Sequence, residues 1–199
     1  MVICIFGDSI TWGASDSEKG GWVERLKVYL AEKHDTEVYN LGVSGDNTED
    51  LLQRFEIEAA ARKPNIIIFA IGINDSQYIN SKDNPRVTLH TFEQNLTQLV
   101  EIAKKFAPRI IFVGLTPVDE SKTKPIPWDT QKYYDNENIQ EYDSVIQSVC
   151  EQKKILFVPV YNVIAREDFH DGLHPNAVGH SKIYEKVRDF LLETKLLYE

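Results

Sequence analysis

A chain of 199 residues, 42% hydrophobic and 27% charged, carries enough apolar material for one domain with a sizeable core and lacks the composition of a disordered segment. Its 22 Lys+Arg against 31 Asp+Glu leave a net charge of −9, which disfavours nucleic acid and anionic membrane surfaces, since both recruit basic side chains. No apolar run is long enough to span a bilayer and residues 2–6 are too short for a signal-peptide core, so a single domain over residues 1–199 and a cytoplasmic location are expected.

The first apolar run, residues 2–6, reads as a buried strand that leads into Gly7, Asp8 and Ser9. A helix follows with Trp22, Leu26, Tyr29, Leu30 and Lys33 on one face, leaving Glu24, Arg25 and Lys27 for solvent. A second strand, 37–41, runs into Gly42, Val43, Ser44 and Gly45, then into a helix carrying Leu51, Leu52, Phe55 and Ala59 with Asn47 or Thr48 placed to cap it. The third strand, 65–70, precedes Gly72, Ile73, Asn74 and Asp75 and a helix expected over 91–106. Strands at 109–114 and 155–159 flank a helix over 136–153, and a last helix after Pro175 carries Ile183, Val187, Phe190 and Leu191. The irregular stretches are 76–89 and 116–135; the second is long for a compact domain, which marks it as functional. Cys4, in a strand-like run, and Cys150, in a helix-like one, form neither a disulfide framework nor a metal pattern and read as packed, reduced thiols.

Strict alternation of strand and helix requires right-handed crossovers, hence a mostly parallel five-stranded sheet covered on both faces, an α/β fold of the three-layer α/β/α sandwich type. In such sheets ligands bind beyond the carboxyl ends of the strands, at the switch point of strand order. The residues just after each strand therefore belong together.

Ser9, after the first strand, is either an exposed nucleophile on a turn that Gly7 permits or simply a helix N-cap. The spacing G-x-S-x-G is absent, because Thr11 stands where the second glycine would be. Among five histidines, His34, His90 and His180 have surface roles available at or near helices. His174 differs: Pro175 biases it toward extended backbone and can open the final helix, and Asp171 sits three residues earlier across Gly172, close enough for its carboxylate to meet Nδ1–H. That leaves Nε2 for Ser9; the plainer alternative is an Asx-type turn. His170, Asp171 and His174 also have a spacing that permits a metal, but no further convincing ligand accompanies them. For an oxyanion, the Gly45 amide lies just ahead of a helix, Asn74 offers a neutral side-chain donor, and the Ser9 amide makes a third.

The stretches "FGDSIT", "NLGVSGDNT", "IGIND" and "DGLHPN" resemble, in order, the four blocks of the SGNH hydrolase superfamily, the GDSL esterases and lipases, and spread from residue 6 to residue 176. The resemblance implies a flavodoxin-like sheet and ester hydrolysis by a serine without cofactor or metal. It implies Ser9 as nucleophile, Asp171 and His174 as its partners, and Ser9, Gly45 and Asn74 as oxyanion donors. Ile10 replaces the leucine of the name motif, a small apolar change. "GLTPVDE" is similar to small intracellular members acting on short esters, so short-acyl esters or acetylated small molecules and sugars are the expected partners.

Three other readings stand beside this one. An acyltransferase would use the same three side chains. A receiver-type signalling domain would use Asp8, Asp75 and Thr116, but needs a lysine after the fifth strand, where Pro159, Val160 and Tyr161 stand. A flavin or nucleotide binder lacks its phosphate loop. Residues 116–135, with Pro117, Pro125, Pro127 and Trp128, follow the fourth strand and so lie on the active-site side, where Tyr133 and Tyr134 either stack on a sugar, wall an acyl pocket or pack on their own loop.

Overall fold

The computed structural model describes residues 1–197. Its strands and helices run β1 Val2–Gly7, α1 Ser9–Trp12, α2 Gly21–His34, β2 Glu37–Gly42, α3 Thr48–Arg62, β3 Ile66–Ala70, β4 Tyr78–Ile79 and α4 Leu89–Ala103. They continue β5 Arg109–Val113, α5 Glu120–Thr123, β6 Lys132–Tyr133, α6 Asn136–Lys153, β7 Leu156–Val158 and α7 Ala177–Glu193. Five strands form one parallel sheet in the order β2-β1-β3-β5-β7. Helices α2 and α7 pack together, while α3, α4 and α6 adjoin one another in a row. This is the three-layer α/β/α sandwich with a flavodoxin-like strand order, in which the order reverses between β1 and β3.

The expectation of five buried strands needs correction at the edges. Ile66 to Phe69 and Ile3 to Phe6 are fully buried, as strands covered on both faces must be. β2 and β7 are edge strands, and Glu37 and Leu156 are exposed there because one side has no neighbouring strand. Phe6, Phe55, Phe69 and Phe112 pack ring against ring across the centre, with centroids 4.8–5.9 Å apart. Both cysteines are free and buried, and burial pushes each thiol up to about 12.

Caps decide several boundaries. Asn47, rather than Thr48, caps α3, with Asp50 closing the reciprocal bond to its amide. α4 begins at Leu89 instead of 91 because the Thr88 hydroxyl caps it by accepting from the Thr91 amide, so His90 lies inside the helix. Pro175 does not open the last helix: Asn176 follows it and caps α7 through the amides of Val178 and Gly179.

The two irregular stretches pair with each other. β4 and β6 form an antiparallel ribbon, Tyr78 opposite Tyr133, whose rings stack at 5.4 Å. Such a ribbon is marginal alone. Here the Tyr78 hydroxyl donates to Asp135 at 3.1 Å, and Asn138 donates to the Ser76 carbonyl, tying the ribbon to the start of α6.

Gly7 is required by space, not by backbone angle. A Cβ there would collide with Thr11 Oγ1 and with the Ala70 carbonyl oxygen of the neighbouring strand. Gly7→Ala is expected to lower unfolding free energy by about 1–3 kcal/mol, read from urea denaturation, because the backbone of β3 must move to admit the methyl.

Candidate active site

The site is assembled at the carboxyl edge of the sheet, around the β1/β3 switch point. At the end of β1, Asp8 caps the four-residue helix α1, its Oδ1 accepting from the Ile10 amide at 2.9 Å. Asp8 thus takes the capping role considered for Ser9, and the serine becomes the first helical residue with its side chain free for other partners.

His174 is held by a loop stitched across its own base. The His170 amide donates to the His174 carbonyl at 2.9 Å, the Asn176 amide to the Asp168 carbonyl at 2.7 Å, and Phe169 bridges Pro175. Gly172, with φ +98°, makes the turn in the region that favours glycine, and its carbonyl accepts from the Asp119 amide at 2.8 Å. Within this loop Asp171 Oδ1 accepts from the amides of Leu173 and His174, while Oδ2 accepts from the His174 ring at 2.7 Å. With Nδ1–H committed to Asp171, the lone pair of Nε2 faces Ser9, whose hydroxyl lies 2.9 Å away and donates to it. Burial alone would raise the Asp171 carboxyl, but hydrogen bonds from the His174 ring and amide outweigh it and hold Asp171 at about 2.

Ser9 and His174 open on a cleft of about 360 Å³ that Gly45 and Asn74 also line. Gly45 has φ +86°, so its glycine answers a backbone need, two residues before the α3 cap. Asn74 is 5% exposed: its Nδ2 donates to the Asp46 carbonyl at 2.9 Å and its Oδ1 accepts from the Tyr134 hydroxyl at 2.8 Å. The structure therefore brings Ser9, His174, Asp171, Gly45 and Asn74 to one place. Among the described residues, no group of three or more His, Cys, Asp or Glu is arranged to hold a metal.

The contacts of several neighbours were not legible. Tyr134 is buried and bonded to Asn74, whereas Trp128 is 54% exposed and stacks its ring over His174 at 5.9 Å. His180 is fully buried, which corrects its expected surface role: its Nδ1 accepts from the Trp22 amide and its Nε2–H donates to the carbonyl of Ala14, a cleft residue. The signal was present, since His180, Ile183, Val187 and Leu191 share one helical stripe. Arg25, expected in solvent, is drawn inward by buried Asp16, which also accepts from the Gly21 amide at 2.9 Å. Arg25 further donates to the carbonyls of Gly21 and Ala177, so it joins α2 to α7.

A serine, an imidazole and a carboxylate stand in hydrogen-bonded series at the carboxyl edge of a parallel α/β/α sandwich, an arrangement that serine hydrolases of unrelated folds share. Residues 5–182 match the GDSL-like Lipase/Acylhydrolase family, and the chain belongs to that family. The uncharacterized lipoprotein YqeF of Bacillus subtilis (strain 168) is 31% identical over 127 residues, 61% of this chain and 51% of that protein, so the match spans about half of that relative's length. An acetylxylan esterase of Geobacillus stearothermophilus is 27% identical over 154 residues, 72% of this chain and 66% of the relative. Among solved structures, LAE5, an α/β hydrolase enzyme from the metagenome of Lake Arreo, Spain, matches with a TM-score of 0.75 at 23% identity, covering 100% of this chain and 96% of that one. That likeness concerns the fold.

Two carboxyls beneath the site are pushed upward. Burial raises Asp8 from 3.8 to about 7, against the pull of the Ile10 amide, and raises Asp75 to about 6 against its bonds from Thr48. An acid whose folded value is raised adds stability in full below its unfolded value, and that contribution is lost as pH climbs through the folded one. Asp8→Asn keeps a competent cap and removes the titration, so it is expected to flatten the fall of stability between 3.8 and about 7. Urea denaturation across that range checks the slope.

Proposed function

We propose that this enzyme hydrolyses short-acyl esters, acetylated small molecules and sugars among them, through an acyl-enzyme on Ser9. The observation that carries the reading is the line from Asp171 through His174 to Ser9, with links of 2.7 and 2.9 Å, opening on a cleft. Ser9 Oγ attacks the ester carbonyl as His174 Nε2 takes its proton, and Asp171 keeps the ring in its tautomer and offsets the imidazolium charge. The oxyanion is received by Asn74 Nδ2 and by the amides of Gly45 and Ser9, the latter an N1 amide of α1 with no intrahelical acceptor. His174 then returns the proton to the leaving alcohol, and a water activated at the same nitrogen releases the acid.

Short acyl groups suit a cleft walled by Ile126, Leu173 and Trp128 and interrupted by Gln77, Arg86 and Lys132. The broad exposed ring of Trp128 beside His174 offers an apolar face to a sugar, and the similar acetylxylan esterase supports an acetylated carbohydrate. Among the described residues no helix is long and apolar enough to cross a membrane. A receiver-type reading is left without its acids, because Asp8 caps α1 and Asp75 is bonded to the Thr48 amide and hydroxyl.

Ser9→Ala is expected to abolish hydrolysis of nitrophenyl acetate and labelling by a fluorophosphonate while leaving the unfolding midpoint in place; undiminished turnover would refute the nucleophile. Asn74→Ala should reduce kcat by about 10²–10³-fold with the fold intact. Across a series of nitrophenyl esters, kcat/KM is expected to fall as the acyl chain lengthens, and a rising preference for long chains would overturn the short-ester reading.

A further inference from the structure

We propose that Tyr134 is a positioning residue whose hydroxyl fixes the orientation of the Asn74 amide, so that one Nδ2 hydrogen stays directed at the Ser9 cleft. The inference rests on the reading of Asn74 as an oxyanion donor. An asparagine amide presents either N–H or C=O to a pocket according to which way its plane is turned, and the wrong face would set an oxygen against a developing oxyanion. The partners of Asn74 choose the face.

Asp46 contributes a carbonyl, which can only accept, so the group 2.9 Å from it is the nitrogen. That bond uses one Nδ2 hydrogen and leaves one. On the other side the Tyr134 hydroxyl lies 2.8 Å from Oδ1 and must donate there, because Oδ1 has no hydrogen to give. A hydroxyl has a single proton, so this assignment holds only if nothing else claims it. Gln77 ensures that: its Nε2, 2.6 Å from the Tyr134 oxygen, can only donate to it. The result is a one-way chain, Gln77 to Tyr134 to Asn74 to Asp46. Because the Tyr134 proton is given to Asn74 Oδ1, Gln77 must present Nε2 to the Tyr134 oxygen, and its buried Oε1 is left without a hydrogen-bond partner. Asn74, Gln77 and Tyr134 are each at most 5% exposed, which restricts the access of competing water to these bonds. Burial also raises the Tyr134 pKa, which keeps the proton on the hydroxyl.

The ribbon explains how two distant segments supply this chain. Tyr78 pairs with Tyr133 and Ile79 with Lys132, and continuing that antiparallel register sets Gln77 opposite Tyr134. Tyr134 is anchored on its far side by Thr123, whose carbonyl accepts from its amide at 3.0 Å and whose hydroxyl donates to its carbonyl at 2.9 Å. The long segment 116–135 thus has a specific task, delivering one hydroxyl to the back of Asn74.

Steady-state hydrolysis of nitrophenyl acetate by the wild-type protein, Tyr134→Phe, Asn74→Ala and the double variant tests the proposal. Tyr134→Phe is expected to lower kcat by about 10–10²-fold, the range for a misplaced catalytic group, with KM within about twofold. In the Asn74→Ala background the same change should cost nothing more, since no amide remains to orient. A loss of equal size in both backgrounds would mean a structural role and would overturn the proposal, as would Tyr134→Phe with wild-type kcat beside a slow Asn74→Ala. Full activity in Asn74→Ala would remove the oxyanion reading and the chain with it. Should Tyr134→Phe fail to fold, NMR of the wild-type protein decides: a slowly exchanging Tyr134 hydroxyl proton in contact with the Asn74 side-chain amide is expected, and a hydroxyl in rapid exchange with solvent would overturn the proposal.

Discussion

The hydrogen bond from the Ser9 hydroxyl to His174 Nε2 joins positions 165 residues apart, and the remaining architecture is arranged so that it closes at 2.9 Å. Neither partner could reach the other by local structure. Right-handed crossovers send every main strand in the same direction, so the end of β1 and the segment after β7 emerge on one edge of the sheet. The reversal of strand order between β1 and β3 then leaves a crevice, with Ser9 on one bank and Asn74 on the other. Loop closure over so long a separation costs entropy that only the buried sheet and its helices can offset.

Within that frame, precision comes from short loops bonded to themselves. The segment from Asp168 to Asn176 crosses its own base with backbone bonds, and Asp171 grips both the amide and the ring of His174. A carboxylate that receives three N–H donors remains ionised far below neutral pH, so it continues to hold the imidazole there. On the opposite bank, segment 116–135 packs Tyr134 behind Asn74 and lays Trp128 over the His174 ring. One segment therefore touches both His174 and Asn74.

Three carboxyls are buried at helix starts. Asp8 answers the open amides of α1, Asp75 those of α3, and Asp16 is enclosed by Arg25 and the backbone ahead of α2. Each carboxyl sits where helix N-termini leave donors unsatisfied, which is why burial is tolerated. The elements that carry Ser9, Gly45 and Ala14 are thereby pinned at their first turns. His180 belongs to the same scheme, bridging the start of α2 and the Ala14 carbonyl with both ring nitrogens.

The alternation of apolar runs and helical stripes was enough to read the α/β/α sandwich, because short continuous apolar runs and period-3.6 burial are local properties of the chain. The residues at the strand ends were legible for the same reason: Gly7, Gly45 and Gly172 meet local backbone or packing demands, and "DGLHP" encodes a turn that bonds Asp171 to His174. The hydrogen-bond partners of Tyr134, Gln77, Arg25 and His180 were not legible, although each lies in a segment whose secondary structure or irregularity could be read, and the stripe that carries His180 already placed it on a buried face. Their importance depends on which polar group another segment presents to them after folding, and a pattern of hydrophobicity holds no record of that. The sequence by itself thus determined the layers, the strand ends and the chemistry available there, whereas the tertiary structure alone decided which hydroxyl, amide and carbonyl would meet, because hydrogen-bond direction is set by partners brought together from far along the chain.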